Sequence, residues 1–230
     1  MRVVSWNCNG ALRNKAHLLE RLNADVWVIQ ECEPLAKLGP VMEPWSANAL
    51  RVGDPTKRGL AVFAKPSVAL SPINLDADGL ELFLPVRVDH IMFLAVWTKQ
   101  ANSPTFRYIG QLYKWLQKHK DYLAAQDAVL VVGDFNSNAC WDVWDRWWNH
   151  SDVVRDLKAL DLNSLYHKQF DEAQGAEARP TFFMHRNLSR PYHIDYAFLT
   201  ESLLVNATLQ LGDPDPWLQW SDHVPLVIDF

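Results

Sequence analysis

The sequence is poor in cysteine and in positive charge, and it has no long apolar run. Cys8, Cys32 and Cys140 are its only cysteines. So small and odd a set gives no disulfide framework, and a reducing, soluble, cytoplasmic setting is expected. Lys and Arg number 22 against 27 Asp and Glu, for a formal net charge of -5. Proteins that grip long nucleic acid through its phosphates are usually basic, so any such contact here is expected to be local, short or metal-mediated. No stretch approaches the roughly 18 apolar residues of a membrane span, and MRVVSWNCNG lacks the apolar core of a signal peptide. No membrane partner is expected. Linkers, internal repeats and low-complexity segments are also missing, which predicts one domain over residues 1–230.

What is present is apolar and aromatic. Hydrophobic residues make up 49% of the 230 positions, and there are 11 tryptophans. An aromatic core with packing between layers accounts for most of them. Trp97, Trp217 and Trp220 lie near polar loops, where an exposed ring would stack a base.

Apolar runs predict strands at Arg2 to Trp6, Val26 to Ile29, Gly59 to Ala64, Leu80 to Val88, Ile91 to Thr98 and Ala128 to Val132. Asp89-His90 reads as a hairpin turn. Later strands are expected at Thr181 to Met184, His193 to Leu199, Leu203 to Leu211 and Val224 to Phe230. Residues 33–58 read as irregular. Helical spacing marks Leu12, Leu18, Leu19 and Leu22, then Ile109, Leu112, Leu116 and Leu123 after an opening at Ser103-Pro104, and then Val153, Val154, Leu157 and Leu160. Trp141, Trp144 and Trp148 keep the same spacing and predict a short aromatic helix against a sheet. Strands that first alternate with helices and then run together imply an α/β (α+β) fold with mixed sheets.

Five polar clusters sit at the ends of these runs: Trp6-Asn7-Cys8-Asn9-Gly10, Gln30-Glu31, Gly133-Asp134-Phe135-Asn136, His193-Ile194-Asp195-Tyr196 and Ser221-Asp222-His223. Each has an ordinary reading on its own. Glu31 can be an exposed strand-end carboxylate, and Gly-Asp-Phe-Asn can be a turn. His193 and Asp195 can pair locally, and His223 can be a satisfied surface histidine. Together they supply what phosphodiester cleavage needs: ligands for a charge-neutralising cation, a group to aim and deprotonate water, and a group for the leaving oxygen. A buried strand-end carboxylate such as Glu31 is costly unless paired or bound to metal. Asp134 and Asn136, two apart, share a side if the chain stays extended. An Asp beside a His fixes its tautomer, which favours pairing Asp195 with His223.

In order and approximate spacing these motifs resemble the endonuclease/exonuclease/phosphatase superfamily, which includes exonuclease III, the abasic-site endonucleases and deoxyribonuclease I. The resemblance spans essentially the whole chain. It implies a four-layer α/β sandwich, with two facing mixed β-sheets flanked by helices, and Mg²⁺ or Mn²⁺ at one rim. Carried over by motif, it implies Glu31 as principal metal ligand, Asn7 as the asparagine that supports both metal and substrate phosphate, and Asn9 and Asp222 on the metal side. Asn9 stands where an acid is often found. Asp134 resembles the residue that activates water, Asn136 the phosphate and water contact, and Asp195 the partner of a phosphate-contacting His223. Tyr108 is the candidate phosphate-contacting tyrosine, against a local packing role. Lys99 and Arg107 are candidate substrate contacts, against plain solvation. Asn149 to Asp152 reads either as a rim element or as a helix start capped by Ser151. The expected activity is that of a monomeric Mg²⁺-dependent phosphodiester hydrolase acting on DNA. A hydrolase of small phosphoesters or nucleotide ends, and a non-catalytic binding module, are the alternatives.

Overall fold

A computed structural model of the chain describes residues 1–99 and 105–230. Fourteen strands form two six-stranded sheets and a short ribbon. They are β1 (Arg2–Asn7), β2 (Val26–Cys32), β3 (Ala49–Val52), β4 (Gly59–Ala64), β5 (Leu70–Pro72), β6 (Phe83–Val88), β7 (Ile91–Trp97), β8 (Val129–Asp134), β9 (Leu162–Ser164), β10 (Phe182–Phe183), β11 (Pro191–Tyr192), β12 (Asp195–Thr200), β13 (Thr208–Leu211) and β14 (Leu226–Asp229). The first sheet runs β13-β14-β1-β2-β4-β3, the second β5-β6-β7-β8-β12-β9, and β10-β11 form the ribbon. The sheets are mixed, as expected. Each has one parallel pair near its centre, β1 with β2 and β7 with β8.

Alternation along the strands explains the layers. Val3, Val28, Val62, Phe93, Val132 and Leu226 point into the core between the sheets. Their neighbours Val4, Trp27, Ile29 and Phe63 point outward and pack with Leu18 and Leu19 of the helix Ala16–Leu22. On the other side Met92, Leu94, Val131 and Phe198 pack with Leu112, Leu116, Val153 and Leu157 of the helices Ile109–Ala124 and His150–Ala159. A sheet covered on both faces needs strands apolar at every position, which is why these runs are near-continuous rather than alternating.

Several expectations shift. The strand expected over Leu203 to Leu211 begins only at Thr208, after a helical turn at Glu201–Leu204. The predicted helix opening at Ser103-Pro104 lies outside the described residues, and the helix begins at Ile109. Residues 33–58, read as irregular, contain β3 on the edge of the first sheet. Ser151 does not cap its helix. Asn149 does, in a reciprocal capping box with Asp152. The aromatic helix over 141–148 does not form: Ala139–Trp141 is a single 3₁₀ turn, and irregular chain follows up to Asn149. Its helical spacing has no apolar partner face, because Trp144 is 95% exposed.

Parallel pairing fixes where the polar clusters end up. β1 and β2 run to the same rim and deliver Asn7 beside Gln30. β7 and β8 deliver Asp134 to the corresponding rim, and antiparallel β12 starts there with Asp195 directly opposite Asp134. β14 is antiparallel to β1, so Ser221 to His223, just before it, returns to that same rim.

Candidate active site

Glu31 reaches the rim because β2 is irregular there. Pairing with β4 shifts between Gln30 and Cys32, and Glu31 has φ 58°. Such a bulge re-aims one side chain, so Glu31 turns half-exposed while Gln30 and Cys32 stay buried. Its carboxylate pairs with Arg58 and lies 3.3 Å from Asn7 Nδ2. Arg58 also donates to Asn9 Oδ1 at 3.1 Å.

Gly133 sets the depth of Asp134. Its φ is +146°, and a Cβ there would meet the Val96 carbonyl oxygen at 1.9 Å, so only glycine lets β7 and β8 approach. Asp134 behind it is fully buried. Its Oδ2 accepts from Asn7 Nδ2 and Asn136 Nδ2, each at 2.9 Å, and its Oδ1 accepts from the Asn136 backbone N–H at 2.8 Å. The extended geometry expected for Asp134 and Asn136 does not persist. Asn136 has φ 44°, and the chain folds back in an aspartate-centred turn. That turn is itself what returns the Asn136 amide to the carboxylate, while the same amide nitrogen also donates to Thr98 O at 2.7 Å. Turn chemistry and site assembly are the same feature here.

His223 and Asp195 pair at 2.9 Å between Nδ1 and Oδ2. His223 Nε2 points towards Asp134, with Oδ2 at 4.0 Å. His193 takes no part: its Nδ1 bonds Arg179 O at 2.7 Å, and local pairing with Asp195 does not form. Burial alone lowers the His223 pKa, but Asp195 and Asp134 overcome it and raise it to about 9. Burial, and then Asp195 close by, push Asp134 up to about 7. The imidazole is thus held as a cation against a carboxyl that titrates near neutrality.

Four residues that sequence reasoning did not single out, or singled out only as supports, hold this arrangement. Ser221 Oγ donates to Asn7 O at 2.7 Å and accepts from His223 N–H at 3.1 Å. It ties the first cluster to the last. Thr181 Oγ1 accepts from the Ile194 and Asp195 N–H groups at 3.0 and 3.1 Å. Buried Lys15 donates from Nζ to the carbonyls of Cys8, Gly10 and Trp220, the last two at 2.7 and 2.8 Å. Arg58 covers Glu31. Ser221, a small polar residue next to Asp-His, carried some signal. Thr181, Lys15 and Arg58 act through long-range contacts that leave no local pattern.

The other candidates stand further out. Tyr108 and Arg107 line a cleft that reaches Asn136. The Tyr108 backbone has φ 49°, and the residue is 38% exposed. Lys99 lies over the Trp97 ring at 5.4 Å and is 4.0 Å from Glu81. The Asp222 carboxylate makes no hydrogen bond among the described residues, and its charge raises the His223 pKa. Trp97 and Trp217 are buried, and Trp220 is half-buried edge-on to His17.

Ligand atoms of Asp134, Asp195 and His223 lie within 4.8 Å of one another. Since His223 Nδ1 is engaged by Asp195, this trio is better suited to relaying a proton than to chelation. The oxygen-bearing set of Glu31, Asn7 and Asp134 suits a hard divalent cation: two carboxylates converge on one amide, and a guanidinium already neutralises one of them. No helix among the described residues is long and apolar enough to cross a membrane.

Among solved structures, a 3'-5' exonuclease (NExo) from Neisseria meningitidis is similar at 19% identity and TM-score 0.71, covering 100% of this chain and 99% of that one. An AP endonuclease from Archaeoglobus fulgidus is similar at 19% identity and TM-score 0.70, with the same coverage. The Xenopus laevis APE2 catalytic domain is similar at 16% identity and TM-score 0.71, covering 100% of this chain and 91% of that one. These likenesses establish a shared four-layer fold. No curated protein sequence matches. The sequence profile of the Endonuclease/Exonuclease/phosphatase family, however, matches residues 4–223, from β1 through His223. The chain therefore belongs to the endonuclease/exonuclease/phosphatase family, whose members hydrolyse phosphoester bonds.

Proposed function

We propose that this protein is a divalent-metal-dependent phosphodiester hydrolase acting on DNA, built as one catalytic unit over residues 1–230. The observation that carries the reading is convergence on buried Asp134: Asn7, Asn136 and the His223–Asp195 pair all meet it, from both sheets. The solved structures of similar fold include AP endonucleases and a 3'-5' exonuclease, which supports DNA over other phosphoesters.

In this reading Glu31 and Asn7 hold the cation, with Asn9 and Asp222 beside them. Bound Mg²⁺ or Mn²⁺ supplies charge neutralisation on the phosphate oxygens. Asp134, titrating near neutrality, aims a water and takes its proton. Asn136 holds that carboxylate in place and contacts phosphate. His223, protonated and oriented by Asp195, presents Nε2–H to a phosphate oxygen and balances charge as it develops. Tyr108 and Arg107 contact the substrate along the cleft. Lys99 adds only a distant charge. Purified protein with Mg²⁺ should cleave DNA or a model diester and lose the activity in EDTA. Inactivity on DNA, RNA and small phosphoesters alike refutes the reading.

The net charge of -5 favours a second substrate class, a small phosphoester or nucleotide end. Rates on duplex DNA that fall steeply with salt support extended nucleic acid, whereas salt-insensitive rates support the small substrate.

A further inference from the structure

Eight of the eleven tryptophans are either buried or exposed, and Trp45, Trp148 and Trp220 are half-buried. Trp6, Trp27, Trp97, Trp115 and Trp217 are buried between layers. Trp141, Trp144 and Trp147 are 42%, 95% and 62% exposed, and all lie in the segment that follows Asp134 and Asn136. The segment is not loosely held. The Asn149 side chain accepts from Val143 N–H at 3.0 Å and Arg146 Nε at 2.7 Å, and donates to the carbonyls of both residues at 3.0 and 2.6 Å. The Asp142 carboxylate accepts from the His150 and Ser151 N–H groups, and Arg146 donates to Trp141 O at 3.1 Å. Trp147 is edge-on to Phe106 and Tyr113 and Trp141 is tilted against Tyr192, so the braced loop presents the Trp144 ring most fully to water.

A cleft of about 690 Å³ lies between this segment and residues 105–109. Arg107, Tyr108, Trp141, Arg146 and Trp148 line it, and Asn136 closes its inner end against the Asp134 site. Arg146 lies over the Trp148 ring at 4.5 Å. Val143 and Asp145, the neighbours of Trp144, also border the cleft, and Asp145 is the one carboxylate among its described lining residues. Two guanidiniums suit the charge of one or two phosphates. The exposed rings suit base faces, and stacking of this kind tolerates any base. Inside a continuous duplex both faces of each base are occupied by neighbours, so such a platform favours an unpaired nucleotide.

We propose that Trp144, with Trp141 and Arg146, forms a stacking subsite for unpaired nucleotides next to the scissile phosphate, giving preference for single-stranded or frayed nucleic acid over continuous duplex. The inference rests on the phosphodiesterase reading above and specifies its substrate class.

The test is fluorescence anisotropy with a labelled short oligothymidine and a matched blunt duplex, in EDTA so that no turnover intervenes. Wild type is expected to bind the single strand more tightly. Trp144→Ala should lose roughly tenfold on the single strand and little on the duplex, Trp144→Phe should retain most of the affinity, and Tm should stay unchanged because the ring packs on nothing. Equal single-strand affinity of Trp144→Ala and wild type overturns the proposal, as does an equal loss on both ligands. Wild-type cleavage of a model diester with Mg²⁺ is measured alongside. Its absence overturns the hydrolase reading, while the binding pattern separately decides the subsite.

Discussion

Asn7 at the end of one sheet donates to Asp134 at the end of the other, 2.9 Å from Nδ2 to Oδ2. The donor amide connects these two buried strand ends directly, and the same amide lies 3.3 Å from Glu31. The contact holds down the Asp134 pKa against burial. Asn7→Ala should therefore push that pKa further up and move the acidic limb of the pH–rate profile to higher pH. Loss of a donor to a buried carboxylate should also cost about 1–3 kcal/mol of stability. Denaturant melts and kcat/KM against pH check both, and an unmoved acidic limb counts against Asp134 as the base.

Asp134→Asn should abolish hydrolysis, with a loss of about 10²–10⁴-fold expected for a general base. Its effect on Tm near pH 8 should be small, because relief of the buried charge is offset by an amide NH2 that faces the donors of Asn7 and Asn136. Activity close to wild type removes Asp134 from the reaction.

Metal-free stability should fall as pH rises from 6.5 to 9. His223 has a folded pKa of about 9, above its ordinary 6.5, so its contribution is complete below 6.5 and lost as pH climbs through 9. Asp134, raised from 3.8 to about 7, acts in the same direction, with its contribution complete below 3.8 and lost through 7. Tm measured in EDTA should decline from pH 6.5 to 9, whereas below 6.5 the opposite contribution of His150, whose pKa burial lowers to about 4, offsets that of Asp134. His223→Gln should flatten the decline between pH 6.5 and 9, and an unchanged slope contradicts a charged His223.

Arg58 occupies the outer side of Glu31 and also holds Asn9. Arg58→Ala should strengthen divalent-cation binding, read by titrating Mn²⁺ and following its electron paramagnetic resonance signal. Folding stability should change by no more than about 1 kcal/mol, because the pair is largely exposed. Unchanged Mn²⁺ affinity argues against Glu31 as the ligand.

Ser221→Ala removes the bridge between Asn7 O and the His223 N–H. The buried carbonyl and amide left behind should cost about 1–3 kcal/mol. Ser221→Thr, which keeps the hydroxyl, should recover part of the loss. Equal Tm for wild type and Ser221→Ala would show that the bridge contributes nothing.

The sheets were legible because strands buried on both faces must be apolar throughout, as at Val129–Val132 and Val26–Ile29. Edge strands were not: β3 and β5 are half-buried or exposed, and their residues carry no strong pattern. The clusters around Asn7, Asp134, Asp195 and His223 were visible as polar residues ending such runs, and the structure gathers them at one rim. The bulge that turns Glu31 out, and the supports from Lys15, Thr181 and Arg58, depend on residues far away in the chain. The tryptophans at 141, 144 and 148 misled, because 3.6-residue spacing implies a helix only when the rings have a face to cover, and Trp144 has none.

β14 is an interior strand, hydrogen-bonded to β13 on one side and to β1 on the other. It is also made after every other element described, directly behind His223. During synthesis β1, the first strand, must wait with an open edge for a partner more than 200 residues later. Until that strand slots in, Asp195 has no imidazole to orient and Asn7 has no Ser221 to fix it. Completion of the first sheet and assembly of the Asp195–His223 pair thus arrive in the same step.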